Sequence, residues 1–230
     1  EHDSVSDLNK TGCVHKWYNY LEEFPFSLIE EKINEYDIKP GSLVCEPFAG
    51  SGTTLVSANL FKCDAIGFDA NPLMTFISKV KTNFNIDIDK LKKTIIKVSE
   101  EFLKNIHNYD SLPLSESFLE RMPKKELNQW LSPALQKEVN LLKNIIDKVE
   151  DKEINGLLRL ALGKSTFDGS YVSLCPGTTF YPLRYKPEFW DLFTDKIFQI
   201  YKDLQNVQRF NHYGKSTLIN DSCLSARKYI

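Results

Sequence analysis

The chain has 230 residues, 42% of them hydrophobic, and a formal net charge of −2. This length can bury a core as one domain, or as one domain with a large insertion. The near-neutral charge excludes a uniformly basic nucleic-acid-binding protein, so any surface that binds nucleic acid has to be local or lie outside this chain. No apolar run approaches 18 residues and no signal peptide is visible, which argues against membrane insertion or export. The five cysteines form no CxxC pair, which predicts reduced, buried thiols in a cytoplasmic protein without zinc or disulfides: Cys13, Cys45, Cys63, Cys175 and Cys223.

The first elements alternate between helix and strand. Apolar residues at helical spacing predict a helix that begins near Pro25 and ends before Lys39-Pro40-Gly41. A short strand follows at Leu43 to Cys45, then a helix over about 53–61 and a second strand over 65–68. This order predicts a unit of two parallel strands joined by a crossover helix.

The turn between the first strand and its helix is the most informative stretch. It contains Gly50-Ser51-Gly52, where main-chain N–H groups can approach a ligand without obstruction by a Cβ atom. Glu46 ends the first strand and Asp69 ends the second, 23 positions later, close to the spacing at which an acid binds ribose hydroxyls. The loop lacks the Lys of a P-loop, and Glu46 would repel a phosphate. An acid at this position suits a ligand with a cationic end and a ribose, and S-adenosylmethionine has both.

The next 140 residues or so show helical patterns and no convincing strand. Helices are predicted over about 73–83, 88–106, 132–149, 153–163 and 188–207, the fourth of them apolar almost all round and therefore buried. The stretch from Gly163 to Pro187 is predicted as an ordered loop. A strand-like segment returns only at 216–219 and is followed by Asp221.

The glycine-rich string carries a family resemblance. Residues 46–54, Glu-Pro-Phe-Ala-Gly-Ser-Gly-Thr-Thr, followed by Gly67-Phe68-Asp69-Ala70-Asn71-Pro72, resemble motifs I and II of the amino-methylating (N6-adenine and N4-cytosine) DNA methyltransferases. The usual form begins with Asp, so Glu46 is a conservative departure. Residues 15–25, from His15 to Phe24-Pro25, resemble motif X without its usual Pro-Ala-Lys, and Asn220-Asp221-Ser222 resembles motif III. The resemblance is specific only over residues 44–72.

The resemblance implies a fold and a set of cofactor-binding residues. The fold is α/β: a Rossmann-like class I methyltransferase core, partial and limited to its first three strands, over residues 1–85 and 214–230. A helical insertion subdomain occupies 86–213. Glu46 is expected to approach the methionine ammonium directly or through water, Asp69 to bind the ribose hydroxyls, and Asp221 to bind the adenine amine. The cofactor-binding set is His15, Phe24, Pro25, Glu46, Pro47, Phe48, Ala49, Gly50, Ser51, Gly52, Thr53, Asp69, Ala70, Asn71, Asp221 and Ser222, with no metal ligand.

The catalytic signature of these enzymes is missing from the sequence. Amino-methylating enzymes use an (Asp/Ser/Asn)-Pro-Pro-(Tyr/Phe) tetrapeptide that binds the exocyclic amine and stacks on the flipped base. None of the ten prolines is followed by another. We therefore expect a fragment that binds S-adenosylmethionine, is inactive alone, and acts on DNA through the intact protein, with the catalytic half or a partner subunit supplying the loop.

Two alternatives remain open from the sequence. The chain is also compatible with a tRNA base-amine methyltransferase, although an N-terminal RNA-binding domain is not visible, and with a non-catalytic module or one subunit of a split methylase.

The remaining histidines, lysines and aromatic residues are expected to have no role in binding or catalysis. His107 and His212 are expected at the surface, and the lysines at 90–93 on a solvated helix face. The aromatic residues of 180–185 are expected to pack in a loop rather than stack on nucleic acid.

Overall fold

The computed structural model describes residues 12–19, 23–111, 124–173, 179–180 and 188–229. The chain divides into two compact units. One comprises Glu1–Ile86 with Ile200–Ile230, and the other comprises Asp87–Gln199.

The first unit is built on a three-stranded parallel sheet. Its strands are β1 (Leu43–Glu46), β2 (Asp64–Phe68) and β5 (Ser216–Ile219), in the order β1-β2-β5. In the register, Glu46 lies opposite Gly67, and Phe68 lies opposite Ile219. The carboxyl ends of all three strands therefore meet at one edge of the sheet.

Three helices connect these strands or precede them: α1 (Phe26–Glu35), α2 (Thr53–Leu60) and α3 (Pro72–Thr82). Helix α2 is buried along its whole length. It approaches the sheet at Gly67, where an added Cβ would lie 2.8 Å from a methyl carbon of Leu55 and would force neighbouring side chains to shift. The apolar cluster between α2 and the sheet comprises Ala49, Leu55, Ala58, Cys63 and Ala65, flanked by Val44 and Leu218.

An N-terminal segment is anchored to the same unit. It forms a short 3-10 helix, His15–Trp17, whose Trp17 is fully buried. One carboxylate oxygen of Asp203 accepts hydrogen bonds from the backbone N–H of Val14 (3.0 Å) and from the indole N–H of Trp17 (2.9 Å). Burial raises the pKa of the Cys13 thiol, and the Asp203 carboxylate raises it further.

The second unit is mainly helical. Its helices are α4 (Ile88–Asn105), α5 (Lys124–Trp130), α6 (Pro133–Ile146) and α7 (Lys152–Gly169), with the first part of α8 (Phe189–Gln208) and a two-residue hairpin of β3 (Val172–Ser173) and β4 (Thr179–Phe180). The N-cap residues of α4, α6 and α7 are Asp87, Ser132 and Asp151, whose side chains accept hydrogen bonds from backbone N–H groups of the first turn. Phe102 stacks on Trp190 with ring centroids 4.2 Å apart.

Most predicted elements are confirmed, and the errors have identifiable causes. The predicted loop from Gly163 is wrong at its start, because α7 continues to Gly169, and the hairpin of β3 and β4 was missed because each strand has two residues. Helix α5 was also missed, since its seven residues are too short for a periodic pattern. The prediction of buried thiols is wrong at two positions, since Cys45 is exposed on β1 and Cys223 is half-buried.

The predicted surface positions of His107 and His212 are confirmed, as is the exposure of the α4 lysines. Cys175 and the side chains of 180–185 lie outside the described residues. Within the described part of the chain, no helix is long and apolar enough to span a membrane.

Candidate functional site

Three carboxylates stand at the carboxyl edge of the parallel sheet. Glu46 is the last residue of β1, Asp69 follows β2 directly, and Asp221 comes two residues after β5. The strands are adjacent and parallel, so the structure brings these predicted acids to the same edge. In open α/β sheets this edge is where ligands bind.

Glu46 braces the glycine loop. One of its carboxylate oxygens accepts a hydrogen bond from the backbone N–H of Phe48 (3.0 Å), and the other accepts one from the hydroxyl of Thr54 (2.7 Å). Both oxygens are therefore engaged in holding the start of the loop against the first turn of α2. This positioning function was not predicted from the sequence, and neither was the part played by Thr54.

Asp69 ties the end of β2 to the same loop. Its carboxylate accepts the backbone N–H of Gly50 (2.8 Å) and the backbone N–H of Asn71 (2.8 Å), one at each oxygen. The side chain is half-buried. Because each carboxylate oxygen can accept a second hydrogen bond, Asp69 keeps acceptor capacity for a ligand hydroxyl pair.

The loop backbone is tightly fitted at Gly52. This residue has φ +89° and is the N-cap of α2. An added Cβ would lie 2.9 Å from the Ser78 hydroxyl and 3.2 Å from the Ser78 Cα, so glycine is required both for its backbone conformation and for space. The buried Ser78 hydroxyl also donates to the carbonyl of Gly50 (2.6 Å). At Gly50, with φ +52°, an added Cβ would meet only the Phe48 carbonyl oxygen, at 3.9 Å, which leaves that side of the loop accessible.

The third strand joins the site through Asn220. Its side-chain amide donates to the backbone carbonyl of Asp69 (2.9 Å) and lies 3.2 Å from the hydroxyl of Thr75. Asp221 accepts hydrogen bonds from the backbone N–H of Ser222 (2.7 Å) and from the hydroxyl of Tyr229 (3.0 Å), and the pKa of its carboxyl is lowered by these bonds, that of Ser222 most. Asp221 is thus held as an anion at the edge of the sheet.

The residues assigned to motif X lie in the N-terminal part of the same unit. The His15 ring is buried and stacks on Phe26 with centroids 4.7 Å apart. Burial, with a contribution from the Lys81 ammonium, lowers the pKa of His15 to about 3, so the imidazole is neutral at pH 7. Phe24 is 41% exposed, and Pro25 is the N-cap of α1.

The remaining predicted residues line the loop or the start of α3. Phe48 is 77% exposed, and Asn71 caps α3 by accepting the backbone N–H of Leu73 (2.9 Å). Two other predicted cofactor-binding residues are exposed, Pro47 and Ala70, and Ser222 is half-buried. Three are buried: Ala49, Ser51 and Thr53. Among the described residues, no group of three or more His, Cys, Asp or Glu side chains could hold a metal ion.

Known proteins resemble the part of the chain that carries this loop. The family profile described as DNA methylase, which covers the N6 and N4 enzymes, matches residues 5–79. The resemblance identified from the motifs is thereby confirmed for the segment that contains the glycine loop and Asp69.

Individual relatives are type II methyltransferases. M.MjaII of Methanocaldococcus jannaschii is 31% identical over 126 residues, which is 54% of this chain and 23% of the relative. M.BsoBI of Geobacillus stearothermophilus is 29% identical over 108 residues, 45% of this chain and 21% of the relative. M.AvaI of Nostoc sp. is 26% identical over 121 residues, 50% of this chain and 23% of the relative. The matched stretch thus spans about a fifth of each relative's length. No solved structure matches the chain.

Proposed function

We propose that this chain is the S-adenosylmethionine-binding portion of a DNA methyltransferase that modifies an exocyclic base amine, adenine N6 or cytosine N4. In this proposal the three-stranded sheet is the first part of a Rossmann-like class I core, and the helical residues 86–213 are inserted into it. The observation that carries the proposal is the glycine loop braced by Glu46 and Asp69 within a segment of the DNA methylase family.

The chemistry of the donor set fits the cofactor. Three carboxylates at one sheet edge suit a ligand with a cationic end and hydroxyl groups, and disfavour a phosphate. Asp69 retains acceptor capacity for two ribose hydroxyls, and the free side of Gly50 lets a ligand approach the backbone. Asp221 would accept a hydrogen bond from the adenine amine.

The residues of this chain would act by binding and positioning. Glu46 holds the loop in the conformation that Asp69 also supports, so hydrogen bonds connect the ribose acceptor to the loop backbone. When bound, S-adenosylmethionine supplies a methyl group made electrophilic by its sulfonium. Orientation of that group toward a base amine is the main contribution that a protein makes to such a transfer.

The contact with the target base lies in polypeptide outside this chain. The sequence contains no Pro-Pro dipeptide, and the tetrapeptide of amino-methylating enzymes requires one. We propose that the loop that holds the flipped base comes from the rest of the intact protein or from a partner subunit, and that DNA is bound by that assembly.

A methyl-transfer assay on the intact protein tests the proposal. Labelled S-adenosylmethionine is incubated with DNA and, separately, with tRNA, and the modified bases are identified after hydrolysis. We expect label on adenine N6 or cytosine N4 of DNA only. Label on tRNA alone, or on C5 of cytosine, would contradict the proposed substrate.

A further inference from the structure

The two peptide groups that flank Gly50 are each held by one side chain. The N–H of Gly50 belongs to the 49–50 peptide and donates to the Asp69 carboxylate at 2.8 Å. The carbonyl of Gly50 belongs to the 50–51 peptide and accepts the Ser78 hydroxyl at 2.6 Å. Asp69 follows β2 and Ser78 lies on α3, so two separate elements fix the loop backbone on either side of one glycine.

The Ser78 contact selects one of two orientations of the 50–51 peptide. A peptide group is planar and trans, so its N–H and its carbonyl point in opposite directions and reverse together. Gly50 has φ +52° and no Cβ, so its backbone can adopt the rotated conformation that a flip of this peptide requires. A flip would break the Ser78 hydrogen bond and put the Gly50 carbonyl where the Ser51 N–H now points.

The direction of the Ser51 N–H determines what the loop offers to a ligand. Among the described residues, this N–H has no hydrogen-bond acceptor. A flip would replace this donor by a carbonyl oxygen in a loop where Glu46 and Asp69 already supply carboxylate acceptors. Backbone N–H groups are the donors that glycine-rich loops present to ligands, so the loop keeps this donor only in the orientation that Ser78 holds.

Burial makes the Ser78 hydroxyl hard to replace. The residue is fully buried, and its Oγ lies 2.9 Å from the point where a Cβ on Gly52 would stand, so the side chain fits closely under the loop. Water has no access to this position, and a carbonyl left without a donor there is destabilised. Loss of the hydroxyl therefore removes the contact that favours the present orientation over the flipped one.

We infer that Ser78 is a positioning residue of the cofactor site, which holds the 50–51 peptide so that the Ser51 N–H is presented to the ligand. Ser78 acts through the loop backbone and does not contact the ligand itself. The inference rests on the proposed function, because the loop that Ser78 holds is taken as the cofactor loop.

Two variants of α3 separate this role from general stability. Ser78→Ala removes the hydroxyl and leaves a good helix former in the helix. The matched control is Thr82→Val, four positions later, whose buried hydroxyl bonds within α3 to the backbone carbonyl of Ser78 at 2.8 Å. Isothermal titration with S-adenosylhomocysteine measures the affinity. The proton–nitrogen correlation spectrum of the ligand-free protein reports the environment of the Ser51 amide.

Ser78→Ala should lower the affinity for S-adenosylhomocysteine by roughly three- to tenfold, which corresponds to the net contribution of one hydrogen bond. It should also shift or broaden the Ser51 amide resonance of the ligand-free protein, a change that a loss of stability alone does not produce. Thr82→Val should keep the wild-type affinity and the wild-type Ser51 resonance, whatever the change in its Tm.

Each contrary outcome has a distinct meaning. If Ser78→Ala binds like the wild type, or leaves the Ser51 resonance unmoved, the inference fails and the proposed cofactor site stands. If both variants weaken binding equally, or if Ser78→Ala does not fold, the hydroxyl has a general structural role and the inference fails. If the wild-type protein does not bind S-adenosylhomocysteine, the proposed function fails and the inference fails with it.

Discussion

Replacement of Asp69 by alanine should separate ligand binding from loop stability. The carboxylate accepts the Gly50 N–H at 2.8 Å in a half-buried position, and loss of that bond leaves a donor of the loop poorly solvated. The cost in the free energy of unfolding should be about 1–3 kcal/mol. The second donor, the N–H of Asn71, is exposed and can bond to water, so it should add little.

The effect on affinity should be larger than the effect on stability explains. A carboxylate contact to ribose hydroxyls contributes roughly 1.5–3 kcal/mol, so cofactor affinity should fall by roughly ten- to a hundredfold. Isothermal titration with S-adenosylmethionine measures the affinity, and urea unfolding measures the stability.

Asp64→Ala is the matched control. Asp64 begins the same strand and also accepts a backbone N–H from a neighbouring segment, that of Lys215, at 2.8 Å. It stands at the amino end of β2, away from the candidate site. Asp64→Ala should lower stability without changing affinity. Equal losses of affinity in the Asp64 and Asp69 variants, or no loss in either, would refute the reasoning that places the ribose at Asp69.

Three further predictions concern the loop, the N-terminal segment and a buried histidine. Gly52→Ala should destabilise the protein by about 1–3 kcal/mol, because Gly52 has a φ of +89° and lies close to the Ser78 side chain. The control Gly163→Ala, at a helical site with open space, should stabilise the protein by about 0.5–1 kcal/mol. Equal urea midpoints for the two variants would contradict this prediction. Asp203→Ala should cost about 2–4 kcal/mol and shift the indole N–H resonance of Trp17, and an unmoved resonance would show that this bond does not anchor the segment. Because burial lowers the pKa of His15 to about 3, the unfolded state binds a proton below pH 6.5 that the folded state does not. The free energy of unfolding should therefore decrease as the pH is lowered from 6.5 toward 3, by up to about 1.4 kcal/mol per pH unit. His15→Asn should flatten this dependence in acid-unfolding curves.

The parallel unit could be predicted from the sequence because its signals are local. An apolar run that ends in an acid, a Gly-Ser-Gly turn and a second run ending in Asp69 fix the strand, the loop and the helix over a short span. The third strand was recognised from Ser216 to Ile219 by the same pattern, and the structure shows that it pairs with β2. The short elements α5, β3 and β4 carry too few residues to show any period.

The contacts that organise the site could not be predicted in the same way. Ser78 meets Gly50 across 28 positions, and Asn220 reaches the Asp69 carbonyl across 151. Such contacts depend on how helices and strands pack, and a lone Ser in a helix carries no signal for it. Lys81 was also missed, because a lysine in an amphipathic helix is ordinarily exposed, and its burial follows from the N-terminal segment that contacts it.

A crystal structure of the protein with S-adenosylhomocysteine tests the central claim most directly. The account predicts ligand density at the carboxyl edge of β1, β2 and β5, with the ribose hydroxyls on the Asp69 carboxylate and the nucleoside beside Gly50. Density for the ligand at any other place, or a ligand at this edge whose ribose does not contact Asp69, would contradict it.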